Sequence, residues 1–294
     1  ADLLAALEER HTEEITSTIA SYELSIENCL PRNDIENLRI LSDSVRTQEI
    51  LPDTFSEFIS YGSYGVTLGD VAYNSYVVSL VNRLYYGFIE NQNLCLPAIL
   101  DLREKANFML FDESESMRVR SAVNSVIFSS LKNQPASHQK FILFDPEGRS
   151  QGFAPYLEFM RNNPVVMYNK VFTTQQQIRE QVEELSAFID EFSQTKLADS
   201  SDIFAYNRVS GERPESLKCL CLLNFPKGFD EQMLEQLANI VKNGSSCGVQ
   251  TVIHFDENAI RNSSSTTYID LLAKIRESCI CLQPSTTGCI QKTA

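Results

Sequence analysis

The chain has 294 residues, 43% hydrophobic and 22% charged, enough for one large α/β domain with an appendage and ordinary for a protein that buries a core. Its formal net charge of −14 opposes the attraction between Lys or Arg and phosphate on which DNA binding rests, and no run of basic residues relieves it. No apolar run reaches the length of a membrane span, and the N-terminus lacks the basic-then-apolar pattern of a signal peptide. The chain begins at Ala1 without Met and stops at Lys292-Thr293-Ala294, which reads as an excerpt from a longer polypeptide.

Residues 1–50 are expected to be helical. Leu4, Leu7, Ile15, Ile19, Tyr22 and Ile26 recur near helical spacing, Pro31 interrupts, and Asn33-Asp34 can cap a second helix carrying Ile35, Leu38, Leu41 and Val45. Two readings stay open here: the tail of a helical hairpin or short coiled coil, and a solvated helical linker. Residues 51–106 read as a connector leading into a β-hairpin. The stretch 51–68 is rich in Gly, Ser and Tyr, 70–84 suits a helix or a strand, and Asn91-Gln92-Asn93 is a polar turn before Leu94–Leu102.

From residue 107 to 294 strands alternate with helices, the mark of a parallel sheet. The predicted strands are 107–111, 141–144, 165–172, 217–223, 249–255 and 279–282. The predicted helices are 118–132, with Val119, Val123, Val126, Ile127 and Leu131 inward, then 175–194 after a Thr174 cap, 230–242 closed by Asn243-Gly244, and 267–276. Cys219 and Cys221 share one apolar run and Cys279 and Cys281 another. That C-x-C spacing suits core thiols on one face of a strand better than a zinc site. Reduced thiols and the missing signal pattern point to the cytoplasm. His11, His138 and His254 are scattered, and no G-x-S-x-G elbow occurs, which argues against His-based or serine-hydrolase chemistry.

A strand, short loop and helix opening a parallel sheet is where P-loop NTPases hold phosphate, using G-x-x-x-x-G-K-[ST]. Four stretches carry a resemblance. They are Leu94-Cys-Leu-Pro-Ala-Ile-Leu-Asp-Leu102, the strand ending Phe144-Asp145-Pro146, Ile203-Phe-Ala-Tyr-Asn207, and Leu222-Leu-Asn-Phe-Pro-Lys-Gly-Phe229 running on to Asn243-Gly-Ser-Ser-Cys-Gly-Val249. In spacing and order they resemble the FtsK/SpoIIIE branch of the HerA/FtsK DNA-translocase superfamily of P-loop ATPases. The resemblance implies a RecA-like α/β fold, a mostly parallel sheet flanked by helices and preceded here by the helical segment. It also implies ATP and Mg²⁺ as the parent family's cofactors.

Carried onto this chain, the phosphate loop falls on Asp112, Glu113, Ser114, Glu115, Ser116, Met117, Arg118 and Val119. Asp112 stands for the first glycine, Arg118 for the lysine and Val119 for the Mg²⁺-binding hydroxyl. Asp112, Glu113 and Glu115 would face a polyanion, at a cost of about 4 kcal/mol for each like pair ~4 Å apart at an effective dielectric near 20. The second acidic motif falls on Leu223 and Asn224, which supply neither a metal carboxylate nor a base. The sensor position falls on Asp256. The expectation is a degenerate ATPase module with no catalytic residue, no metal and no cofactor of its own. It would serve a structural, assembly or regulatory role beside neighbouring ATPase modules or subunits of the same protein. DNA would be reached only through the larger assembly. The alternatives are a divergent active motor using Arg118 and an interaction scaffold acting through the N-terminal helices.

Overall fold

The computed structural model describes residues 55–67, 89–90, 93–104, 106–112, 134–147, 151–156, 171–211, 213–260, 265–284 and 290–292, together with Val123, Val126, Ile127, Ser129 and Ser130. The expected helices before residue 51, the segment 70–84 and the strand positions 165–170 lie outside these residues. Contacts divide the chain into two compact units, one of them made of Gln48–Gly62 and Ala98–Ala294.

A three-stranded sheet has the order β1-β3-β2, with β1 Phe58–Thr67, β2 Ile89–Glu90 and β3 Asn93–Asp101. The β2–β3 hairpin agrees with the expected polar turn, pairing Ile89 with Leu94 and Glu90 with Asn93. The connector expected over 51–68 is instead largely strand. In β1 the aromatic and β-branched Phe58, Ile59, Tyr61, Tyr64, Val66 and Thr67 suit a pleated surface, and its Gly and Ser content hides that preference. Within the unit made of Gln48–Gly62 and Ala98–Ala294, the segment just before β1 is pinned by polar contacts. Gln134 exchanges hydrogen bonds with the Ser56 backbone at both ends of its amide (3.1 and 2.5 Å), and Glu57 pairs with Arg103 at 2.6 Å and with Arg208.

The principal sheet has the order β5-β6-β7-β4-β8-β9. Its members are β4 Phe108–Asp112, β5 Gln139–Phe144, β6 Leu217–Phe225, β7 Val249–Asp256, β8 Ile280–Pro284 and β9 Ile290–Lys292. Strands β4 to β8 are parallel, and β9 closes the edge antiparallel to β8. The chain lays down β4, crosses to β5 at the far edge, returns through β6 and β7, and then passes over β4 to β8. Every residue of β7 is buried, as is β6 from Cys219 onward, which is the near-continuous burial of a parallel sheet covered on both faces.

Helices fill the crossovers. Val123, Val126 and Ile127 are helical and buried between β4 and β5, as their spacing predicts. Helix α1 (Gln175–Thr195) starts in a capping box at Thr174 and buries Ile178, Val182, Leu185, Ile189 and Phe192. A short helix α2 (Ile203–Val209) follows, capped by Asp202. Helix α3 (Glu231–Asn243) is capped by Asp230 and α4 (Thr266–Glu277) by Ser265. Gly244 does close α3, but with φ −73° rather than a left-handed turn. It is glycine because a Cβ would stand 2.5 Å from the Ile240 carbonyl oxygen. The left-handed position is Gly248, φ +74°, at the entry to β7. Asn107 staples the amino end of the sheet: its side chain donates to Val241 O at 2.6 Å and accepts from Thr251 N–H and Oγ1 at 3.0 and 2.8 Å.

Cys219, Cys221 and Cys247 are free buried thiols, as expected of core residues, whereas Cys279 and Cys281 are free but only half-buried. Among the described residues no group of three or more His, Cys, Asp or Glu could hold a metal ion, and no helix is long and apolar enough to cross a membrane.

Candidate functional site

In open parallel sheets ligands bind beyond the carboxyl ends of the strands, because loops and helix N-termini converge there. In this sheet that edge carries Asp112 at the end of β4, Asp256 at the end of β7, the Leu223–Phe225 end of β6, and Asp145 just past β5. The ladder pairs Asp112 directly with Asp256, so the last residues before the predicted phosphate loop and at the predicted sensor position are neighbours. Glu113, Ser114, Glu115, Ser116, Met117, Arg118 and Val119 lie outside the described residues, as does the side chain of Asp112.

The end of β6 is irregular. Leu222 pairs with Ile253 and Phe225 with Phe255, so Leu223 and Asn224 together stand against His254 alone. Two residues opposing one is a β-bulge, which bends the strand and re-aims its side chains. Asn224 takes the left-handed conformation, φ 57°, which Asn tolerates better than most residues. Its N–H, turned out of the ladder, donates to Nδ1 of His254 at 3.1 Å. His254 is fully buried, and this bond makes Nδ1 the acceptor nitrogen of the ring. Leu223 is 1% exposed and Asn224 5%, so the two positions expected to carry the acidic motif are spent on the bulge and the core. Neither side chain has a carboxylate.

Beyond the bulge the chain turns tightly. Lys227 N–H donates to Asn224 O and Phe229 N–H to Pro226 O, both at 3.0 Å. Gly228 has φ +82°, and a Cβ there would meet the Phe144 ring at 3.0 Å, so the turn lies on the end of β5. From this turn the Lys227 ammonium reaches Glu147 Oε1 at 2.8 Å and Asp256 Oδ2 at 3.0 Å. Partial burial would lower the lysine's proton affinity, but the hydrogen bonds to Glu147 and Asp256 outweigh it and the net shift is upward. The Asp256 side chain is only 7% exposed, and its other oxygen, Oδ1, accepts the Asn258 N–H at 3.0 Å. Asp145, fully buried, accepts the Gly152 N–H at 3.2 Å.

Of the predicted site residues, the structure thus brings Asp112, Leu223, Asn224 and Asp256 to one edge of the sheet. Lys227, Glu147 and His254 join them there; sequence reasoning gave Lys227 and Glu147 no part in the edge and His254 only a place beside the sensor position. Lys227 stood inside the family-like stretch, but its partners belong to other strands and only the topology makes them neighbours.

The strand order, with the first strand of the sheet inserted between β7 and β8, defines an α/β module of RecA-like fold. No protein-family model matches the sequence, and no curated protein matches it. Among solved structures the chain is similar to EssC (ATPases 2 and 3) from Geobacillus thermodenitrificans, with 14% identity and a TM-score of 0.47 over 64% of this chain and 34% of that one. It is also similar to the cytoplasmic domain of the Thermomonospora curvata type VII secretion ATPase EccC, with 13% identity and a TM-score of 0.45 over 64% of this chain and 22% of that one. A third is the pCW3 conjugation coupling protein TcpA in a monomer form with ATPγS, with 11% identity and a TM-score of 0.48 over 81% of this chain and 76% of that one. The chain spans about a third of the EssC structure and less than a quarter of the EccC structure. The fold class is set by this chain's own strand order.

Proposed function

We propose that this chain is a degenerate FtsK/SpoIIIE-like ATPase module that keeps the RecA-like fold for a structural, assembly or regulatory role and does not hydrolyse ATP. The observation that carries this reading is the end of β6. Hydrolysis needs a carboxylate to hold Mg²⁺ and a base to activate water. The residues at that strand end are a buried Leu223 and an Asn224 held in a bulge by His254. The neighbouring carboxylate, Asp256, has one oxygen on Lys227 and the other on a backbone N–H. A carboxylate so engaged is poorly placed to serve a hydrated divalent cation.

Its partners would be neighbouring ATPase modules or subunits of the same protein in the cytoplasm, with DNA contacted only through the basic surfaces of a larger assembly. The acidity of this chain supports that division of labour. Isothermal titration of the purified chain with Mg-ATP tests the reading. No saturable heat at micromolar nucleotide is expected; micromolar binding accompanied by turnover would sink it.

A further inference from the structure

We propose that Lys227 is a built-in cation: its ammonium takes the place of a divalent metal at the carboxyl edge and holds the ends of β5, β6 and β7 together without Mg²⁺. The inference deepens the non-hydrolysing reading and rests on it in one respect, that no nucleotide competes for this edge.

The geometry begins with the lysine's support. The turn that presents it is packed, with the Phe225 and Phe229 rings 5.0 Å apart, Phe229 lying 6.0 Å from Phe144, and Gly228 pressed on Phe144. Little freedom is left to the backbone at Lys227. From there one ammonium joins a residue beyond β5, Glu147, to the last residue of β7, Asp256, while its own chain continues β6. Three consecutive strand ends thus meet at one positive charge.

The chemistry follows from burial. A carboxylate as enclosed as Asp256 is costly to keep ionised unless a countercharge touches it. Beside a phosphate-binding loop that countercharge is ordinarily mobile and arrives with the nucleotide as its metal ion. Here it is covalently part of the chain. A tethered ammonium loses no translational freedom when it pairs, and it cannot be removed by a chelator. It also offers only three donors, without the octahedral coordination shell by which Mg²⁺ bridges protein to phosphate. The same residue therefore stabilises the edge and denies it the bridging role of a metal.

Thermal unfolding of the full chain tests this with Lys227→Gln, Asp256→Asn and the double variant, each measured in EDTA and in millimolar MgCl₂. The wild type is expected to melt at the same temperature in both buffers. Lys227→Gln is expected to melt roughly 3–6 °C lower in EDTA for a chain of this size. Asp256→Asn should recover much of that loss in the double variant, and Mg²⁺ should recover part of it in Lys227→Gln alone. Glu147→Gln, at an exposed position, gives a milder variant with a smaller fall should Lys227→Gln fail to fold. Its fall should be the same in both buffers, because the ammonium stays on Asp256 and no carboxylate is left without a cation, and an unchanged melting point in this variant would also overturn the proposal. Additive single and double effects, or an unchanged melting point in Lys227→Gln, would overturn the proposal. So would a loss in Lys227→Gln that Mg²⁺ leaves untouched, because the contact would then be an ordinary ion pair. ATP turnover by the wild type would instead count against the proposed function, and is read in a separate assay.

Discussion

Asn224 and His254 show how one bulge can decide what a strand end is able to do. The left-handed backbone at Asn224 would cost most L-residues about 1–2 kcal/mol, and a β-branched side chain would feel it most. Asn224→Val is therefore expected to lower unfolding stability in urea by about 1–2 kcal/mol more than Asn224→Gly, because glycine adopts φ 57° freely. A second residue-level prediction concerns Lys218, half-buried on β6 with its Nζ 3.0 Å from the centre of the Phe188 ring. Burial lowers its pKa first and most, Glu215 and Glu184 pull it back up and Lys140 pushes it down, leaving it at about 8 against an ordinary 10.5. Between those two values the unfolded chain binds more protons than the folded one, so stability contributed here rises as pH goes from about 8 to 10.5. Urea midpoints measured across that range should climb more steeply for the wild type than for Lys218→Met, whose profile lacks this component.

At the scale of elements, caps and glycines set where helices and strands begin. Asp230 caps α3 by accepting the Met233 N–H at 3.0 Å and also bonds Arg179 of α1. Asp230→Ala should destabilise by about 1 kcal/mol, while Asp230→Asn, which keeps the cap acceptor, should cost less by the same urea measurement. Gly248 enters β7 with φ +74°, and a Cβ would lie 2.7 Å from Ile203 and 2.9 Å from Leu217. Gly248→Ala thus combines left-handed strain with overpacking and is expected to cost about 2–4 kcal/mol. The main elements were legible from residues: the apolar runs of β5, β6 and β7, and the Thr174 and Asp230 starts of α1 and α3, lie where periodicity and capping place them. β1 was not, because Gly and Ser between its tyrosines imitate a loop until a partner strand supplies the pairing. The role of Gly244 was not legible either. Its closeness to Ile240 O is a packing fact that a helix-ending Asn-Gly does not disclose.

For the molecule as a whole, the candidate edge was half visible in advance. Leu223, Asn224 and Asp256 could be singled out because, on the proposed reading, each stands where a residue type of specific chemistry is expected. The compensation could not. Lys227 answers Asp256 only because β6 and β7 are neighbours, and His254 answers Asn224 only because a bulge sets two residues against one. Residue types are written in the sequence, whereas the contacts between them are written in topology. The central claim is that this RecA-like edge supports no hydrolysis, and phosphate release from Mg-ATP by the purified chain tests it most directly. Release at the rate of buffer alone, unchanged by Arg118→Ala, is predicted; turnover that Arg118→Ala abolishes would contradict it.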